Sequence, residues 1–118
     1  MMTRALDILF FFCDQRSEKL CKGWTTAQIF TVVCAALKAG TWLASRDGRG
    51  ELTGVALGEL QGDNMHVELI ASTRPGALPA FAVEFQRRYP AITTMSMLRK
   101  GRMKLYTMEN LNRHYLKG

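Results

Sequence analysis

Cysteine is scarce and irregularly placed: Cys13, Cys21 and Cys34 are odd in number and have no CxxC spacing. That pattern argues against a disulfide framework or a zinc site, and it fits a reducing cytoplasm. The two histidines, His66 and His114, lie too far apart in the pattern to suggest a metal pair. No apolar run approaches the roughly 20 residues of a membrane span. The densest, residues 9–12, is bracketed by Asp7 and Asp14. Asp7 also interrupts the stretch after Arg4 that begins like a signal peptide, and no small-residue cleavage site follows, so mature protein is expected. There is no P-loop, no GxSxG elbow and no cluster with metal-ligand spacing.

What is present is a basic chain of ordinary globular make-up. With 118 residues it has the length of one domain. Hydrophobic residues at 47% and charged residues at 22% exclude general disorder. Sixteen Lys and Arg against ten Asp and Glu give a net +6, unevenly spread. Residues 1–59 hold seven basic and six acidic groups, a net +1, and residues 60–118 hold nine and four, a net +5. A basic C-terminal half points to an acidic partner: nucleic acid, an anionic cofactor or an acidic carrier protein. A solvated basic face that only aids solubility is the competing reading.

The hydrophobic period changes along the chain. Leu6, Leu9, Phe10 and Cys13 have the spacing of a first helical face, and residues 14–23 read as a loop. Thr25 with Gln28 three residues on is a capping-box signature. Ile29, Val32, Val33, Ala36 and Leu37 then line a second helix that Gly40 stops, with Cys34 expected to be a small buried hydrophobe. Residues 41–46, 52–60 and 65–70 read as three strands joined by turns at 47–50 and 61–64. Gly54 and Gly58 suggest a bulge or close packing in the second. Leu78, Phe81, Ala82, Phe85 and Tyr89 mark an amphipathic helix with Pro79 in its first turn and Pro90 at its end. Two further strands, 91–98 and 103–107, and a short helix over about 108–116 follow. The fold class this implies is α+β, with two N-terminal helices, an antiparallel sheet with a βαβ crossover, and a short C-terminal helix, in one domain over 1–118.

That order resembles the GNAT acetyltransferase superfamily, whose members hold acyl-CoA in a notch beside the fourth strand. Individual residues carry a closer likeness. Leu20-Cys21-Lys22-Gly23-Trp24, then a helix and Ala39-Gly40-Thr41-Trp42-Leu43, resemble the N-terminal half of the toxin-activating lysine acyltransferases, the haemolysin-activating enzymes, which are themselves GNAT-like. Leu6-Asp7-Ile8-Leu9 is similar to their start. Val67-Glu68-Leu69-Ile70-Ala71, Gly76-Ala77-Leu78 and Arg87-Arg88-Tyr89-Pro90 resemble their strand, helix-start glycine and basic-aromatic-proline helix end. The resemblance runs over most of the chain on scattered residues, and it looks like a compact, divergent, phage-type member. It implies transfer of an acyl group from an acyl carrier protein or acyl-CoA thioester to lysine side chains, with no metal. By this matching Cys21 stands where the family has a histidine and Glu68 where it has an aspartate. The first is a departure in kind; the second keeps a carboxylate.

Each candidate has a chemical rationale of its own. Lys19 and Lys22 near Cys21 favour its thiolate, which can take an acyl group from a thioester. Glu68 can deprotonate an incoming amine, and His66, expected on the same strand face, can replace the missing base. The loop 73–78 leads into a helix N-terminus, so Arg74, Gly76, Ala77 and Leu78 form an expected cofactor-binding site for phosphate. Arg87, Arg88, Arg99, Lys100, Arg102 and Lys104 are expected to form a basic patch that docks an acidic carrier protein or nucleic-acid phosphates. Phe10, Phe11 and Phe12 are consecutive, so either one of them meets a partner or a second subunit, as in a homodimer, or the helix buries a broad face. Two expectations follow: a cytoplasmic protein acyltransferase, or a GNAT-fold binding module, phage-encoded and catalytically inactive, that uses its basic surface on nucleic acid or a host protein.

Overall fold

The computed structural model describes residues 5–14, 23–74, 76–99 and 102–111, and of Ala77, Leu78, Arg99 and Leu111 the backbone alone. Helix α1 spans Ala5–Asp14 and α2 spans Thr26–Ala39. The start of α2 is closed reciprocally: Gln28 N donates to Thr25 Oγ1 at 3.1 Å, and Thr25 N donates to Gln28 Oε1 at 2.9 Å. Gly40 ends it in the left-handed region at φ 77°, where any side chain would be strained. Ile29, Val33 and Ala36 form the buried stripe expected from their spacing. Cys34 departs from expectation and is exposed. One position past Val33 is a rotation of about 100°, which carries it off that stripe.

Helix α1 is also turned relative to expectation. Ile8, Leu9, Phe11 and Phe12 are buried, whereas Leu6 and Phe10 are exposed and Cys13 is half-buried. The uninterrupted apolar run 9–12 offers several i, i+3, i+4 faces, and packing against α2 and the sheet selects the one that seals Phe12 completely. Burying a side chain of that size contributes about 2–3 kcal/mol.

Five strands follow: β1 (Trp42–Arg46), β2 (Leu52–Gln61), β3 (Asn64–Ser72), β4 (Thr94–Arg99) and β5 (Arg102–Thr107). Helix α3 (Ala77–Arg88) lies between β3 and β4 in sequence, and α4 (Met108–Leu111) ends the described chain. Strand order in the sheet is the sequence order. All neighbours are antiparallel except β3 and β4, which run parallel because α3 carries the chain back across the sheet. The fold is thus α+β with a mixed five-stranded sheet. Among the described residues no helix is long and apolar enough to cross a membrane.

The sheet has a core on each face. Ala56, Met65, Val67, Ile70, Met95 and Met97 meet Phe81 and Phe85 of α3. Val55, Leu57, Leu69 and Ala71 meet Ile8, Phe12, Ile29 and Val33 of the N-terminal helices. Met65 and Val67 therefore face α3 while Leu69 and Ala71, of the same parity, face the other way. The pairing explains the switch. Leu57 stands opposite Leu69 but Gly58 stands opposite Val67, which leaves Glu68 as an extra residue in β3. This is a β-bulge, and it re-aims every side chain after it. Gly58 is required here: a Cβ on it would lie 2.8 Å from Met65 Sδ and 3.2 Å from the His66 carbonyl oxygen.

Candidate active site

The bulge coincides with the point where the parallel strands part. β3 and β4 are paired only from Asn64↔Thr94 to Val67↔Met97, while β3 continues to Ser72 and β4 to Arg99. A small notch of about 50 Å³ lies at the divergence, lined by Trp24, residues 67–70 of β3, and Met97 and Leu98. The backbone of β3 beyond Val67 thus has no ladder partner on its β4 side among the described residues, leaving strand-edge groups for hydrogen bonding.

Glu68 also borders a larger cavity of about 340 Å³ toward α2. Ala35, Ala36 and Ala39 give it small apolar walls, Tyr89 closes one side, and Glu59 and Glu68 supply its carboxylates. Burial raises the Glu68 carboxyl above its ordinary value of 4.5. A side-chain hydrogen bond with Glu59, and the negative charge of Glu59, push it further the same way. Glu59 is in turn the cross-strand partner of His66, which puts the two residues on the same face of the sheet.

His66 is anchored from the other side. Its Nδ1 lies 2.8 Å from Ser96 Oγ, the paired residue on β4. Asn64 Nδ2 donates to the same Ser96 oxygen at 2.9 Å, and Thr94 Oγ1 donates to Asn64 Oδ1 at 2.8 Å. Ser96 Oγ accepts from Asn64 and can still donate to or accept from Nδ1, so the contact orients the ring in either tautomer. Ser96 is buried, so this chain fixes the ring from within the sheet. The assembly can hold a proton between two carboxylates and keep an oriented imidazole beside them.

The structure brings His66 and Glu68 together and adds Glu59, Ser96 and Asn64, which sequence reasoning missed. Cys21 lies outside the described residues. The βα loop stands at the C-terminal end of β3, the end at which the notch opens. There Gly76 is the N-cap of α3 and contributes no side-chain cap, followed by Ala77 and Leu78 in the first turn. Arg74 is exposed, and its backbone is clasped by Ser72, whose Oγ accepts from Arg74 N at 3.0 Å and donates to its carbonyl at 2.8 Å.

The described residues of the expected basic patch fall in two groups. Arg88 Nη1 donates to the Trp42 carbonyl of β1 at 3.2 Å, and Arg87 pairs with Glu84 at 2.8 Å. Arg102 and Lys104 are exposed on β5, the opposite edge of the sheet and about 19 Å away at normal strand spacing. The physical reason is the crossover: α3 ends over β1, and the β4–β5 hairpin is built on the far edge. The side chain of Arg99, and all of Lys100, lie outside the described residues.

No family model, curated protein or solved structure matches the chain.

Proposed function

We propose that this chain is a compact GNAT-like acyltransferase that moves an acyl group from an acyl carrier protein or acyl-CoA thioester to a primary amine such as a lysine side chain. The observation that carries the reading is the bulge: the raised carboxyl of Glu68 sits where the two parallel strands separate, between the notch and the cavity. The notch's enclosed space, about 50 Å³, is on the scale of two waters and fits a thioester group rather than a whole donor. The unpaired edge of β3 fits an amide-bearing arm, and the α3 N-terminus with Arg74 fits an anionic donor group. When bound, the thioester supplies the activated carbonyl.

The chain's own residues do the rest. The small-walled cavity admits an alkylammonium, whose charge Glu59 and Glu68 attract. A proton leaves the nitrogen for Glu68, whose raised carboxyl is closer to the pH at which a general base works best. The neutral amine attacks the thioester carbonyl, the C–N bond forms and the C–S bond breaks, and the second proton shed by the nitrogen goes to the departing sulfur. Trp24 and Leu98 border the notch and restrict water there. His66, fixed by Ser96, stands opposite Glu59 in the strand register.

Acyl-CoA titrated into the ¹⁵N-labelled chain tests the donor half of this reading. Amide shifts concentrated at 67–72 and 97–98 are expected from acyl-CoA or from an acylated carrier protein titrated in parallel; saturable shifts elsewhere, or none with either donor, would overturn it.

A further inference from the structure

Strand β5 is the last strand of the sheet, and among the described residues nothing pairs with its outer edge. Its side chains divide by face. Lys104 stands opposite Met97 and Tyr106 opposite Met95, which puts Arg102, Lys104 and Tyr106 on the α3 face. Met103 stands opposite Leu98 and Leu105 opposite Ser96, on the face of the N-terminal helices. Those helices reach only part of that face: their core includes residues of β1, β2 and β3 but none of β4 or β5. Leu98, Met103 and Leu105 are accordingly 60%, 61% and 66% exposed. The result is an open strand edge with two cations on one side and an apolar strip on the other.

We propose that the outer edge of β5 accepts an extended segment of a partner protein as a sixth strand, the segment alternating acidic with apolar residues. Main-chain hydrogen bonds supply the pairing, and side-chain alternation supplies the selectivity. Acidic residues of the incoming strand fall beside Arg102 and Lys104, neither of which has an acidic ion-pair partner among the described residues. Apolar residues extend the strip of Met103 and Leu105, and burying that strip removes exposed hydrophobic area from water. The chain's net +6 favours approach of an acidic segment.

A second copy of the chain fits this edge poorly. Antiparallel pairing of β5 with itself about a two-fold axis aligns like faces. Centred on Lys104, it sets that residue of one protomer directly opposite its counterpart, and like charges directly opposite destabilise a sheet. The proposal is independent of the acyl-transfer reading.

The test uses a blocked peptide alternating Glu and Val over about ten residues, long enough to span the strand. It is titrated into the full ¹⁵N-labelled chain, and its Lys–Val counterpart is titrated in parallel. Saturable binding of the Glu–Val peptide is expected, with amide changes and exchange protection concentrated at 102–107. Arg102→Glu with Lys104→Glu, two exposed positions, is expected to weaken that peptide by roughly tenfold or more and to gain affinity for Lys–Val. Absence of binding, changes mapping away from β5, or equal binding of both peptides overturns the proposal. So does concentration-dependent dimerisation that protects the same amides without peptide.

Discussion

Glu68 lies beside Glu59 across the β2–β3 pair, and the two carboxyls interact, although neither is the other's register partner: Glu59 stands opposite His66, and Glu68 is the unpaired bulge residue. The bulge therefore does two things at once. It reverses the facing of β3, and it brings a second carboxylate beside one that already has a histidine opposite.

The raised Glu68 carboxyl makes stability depend on pH in a defined direction. The folded chain holds this proton more tightly than the unfolded chain, whose group titrates near 4.5. The associated stabilisation is complete below that pH and is lost as pH rises through the folded value. Removing the second charge relieves the repulsion. Glu59→Gln and Glu68→Gln are expected to raise the melting temperature at pH 7 relative to wild type, with the gain shrinking toward pH 4. Thermal melts across that range check it; a gain that grows on acidification would contradict the assignment.

Ser96→Ala is expected to destabilise the chain by about 1–3 kcal/mol, because Asn64 and His66 lose their common partner inside the sheet. Urea unfolding measures the cost. The ¹⁵N signals of the His66 ring should also move, because Nδ1 loses its hydrogen-bond partner.

Gly58→Ala tests the bulge. The added methyl meets Met65 Sδ and the His66 carbonyl at distances that force one of them to move. A cost of about 1–3 kcal/mol is expected. NMR cross-strand contacts between β2 and β3 should shift around Val67 and Glu68 while those at 54–56 stay in place. A neutral substitution with unchanged contacts would contradict the register.

Much of this fold is legible in the sequence because it rests on local signals. Thr25 with Gln28, the stripe Ile29, Val33 and Ala36, and the stop at Gly40 are contained within one helix. The helix between β3 and β4 announces a crossover by its change of period. What was not legible depends on pairing between distant segments. The run of apolar residues at 65, 67 and 69 alternates without a break, so the bulge at Glu68 is visible only against β2. Gly58 was its one sequence trace. Ser96 gains its role from the parallel register with His66, and Glu59 from standing opposite that residue, neither of which local patterning encodes. Local spacing puts Phe10 on the wrong face of α1, because the unbroken apolar run 9–12 offers several helical stripes and only packing against α2 and the sheet selects one.

The most direct test of the central claim is formation of an amide, followed by mass spectrometry, from acyl-CoA and a lysine-containing peptide. Wild type and Glu68→Gln are compared at neutral pH, where the variant is expected to be at least as stable, so a lost rate does not reflect a lost fold. The account predicts amide product from wild type and a rate about 10²-fold lower or less from Glu68→Gln. Equal rates, or no amide from wild type with either acyl-CoA or acylated carrier protein, would contradict it.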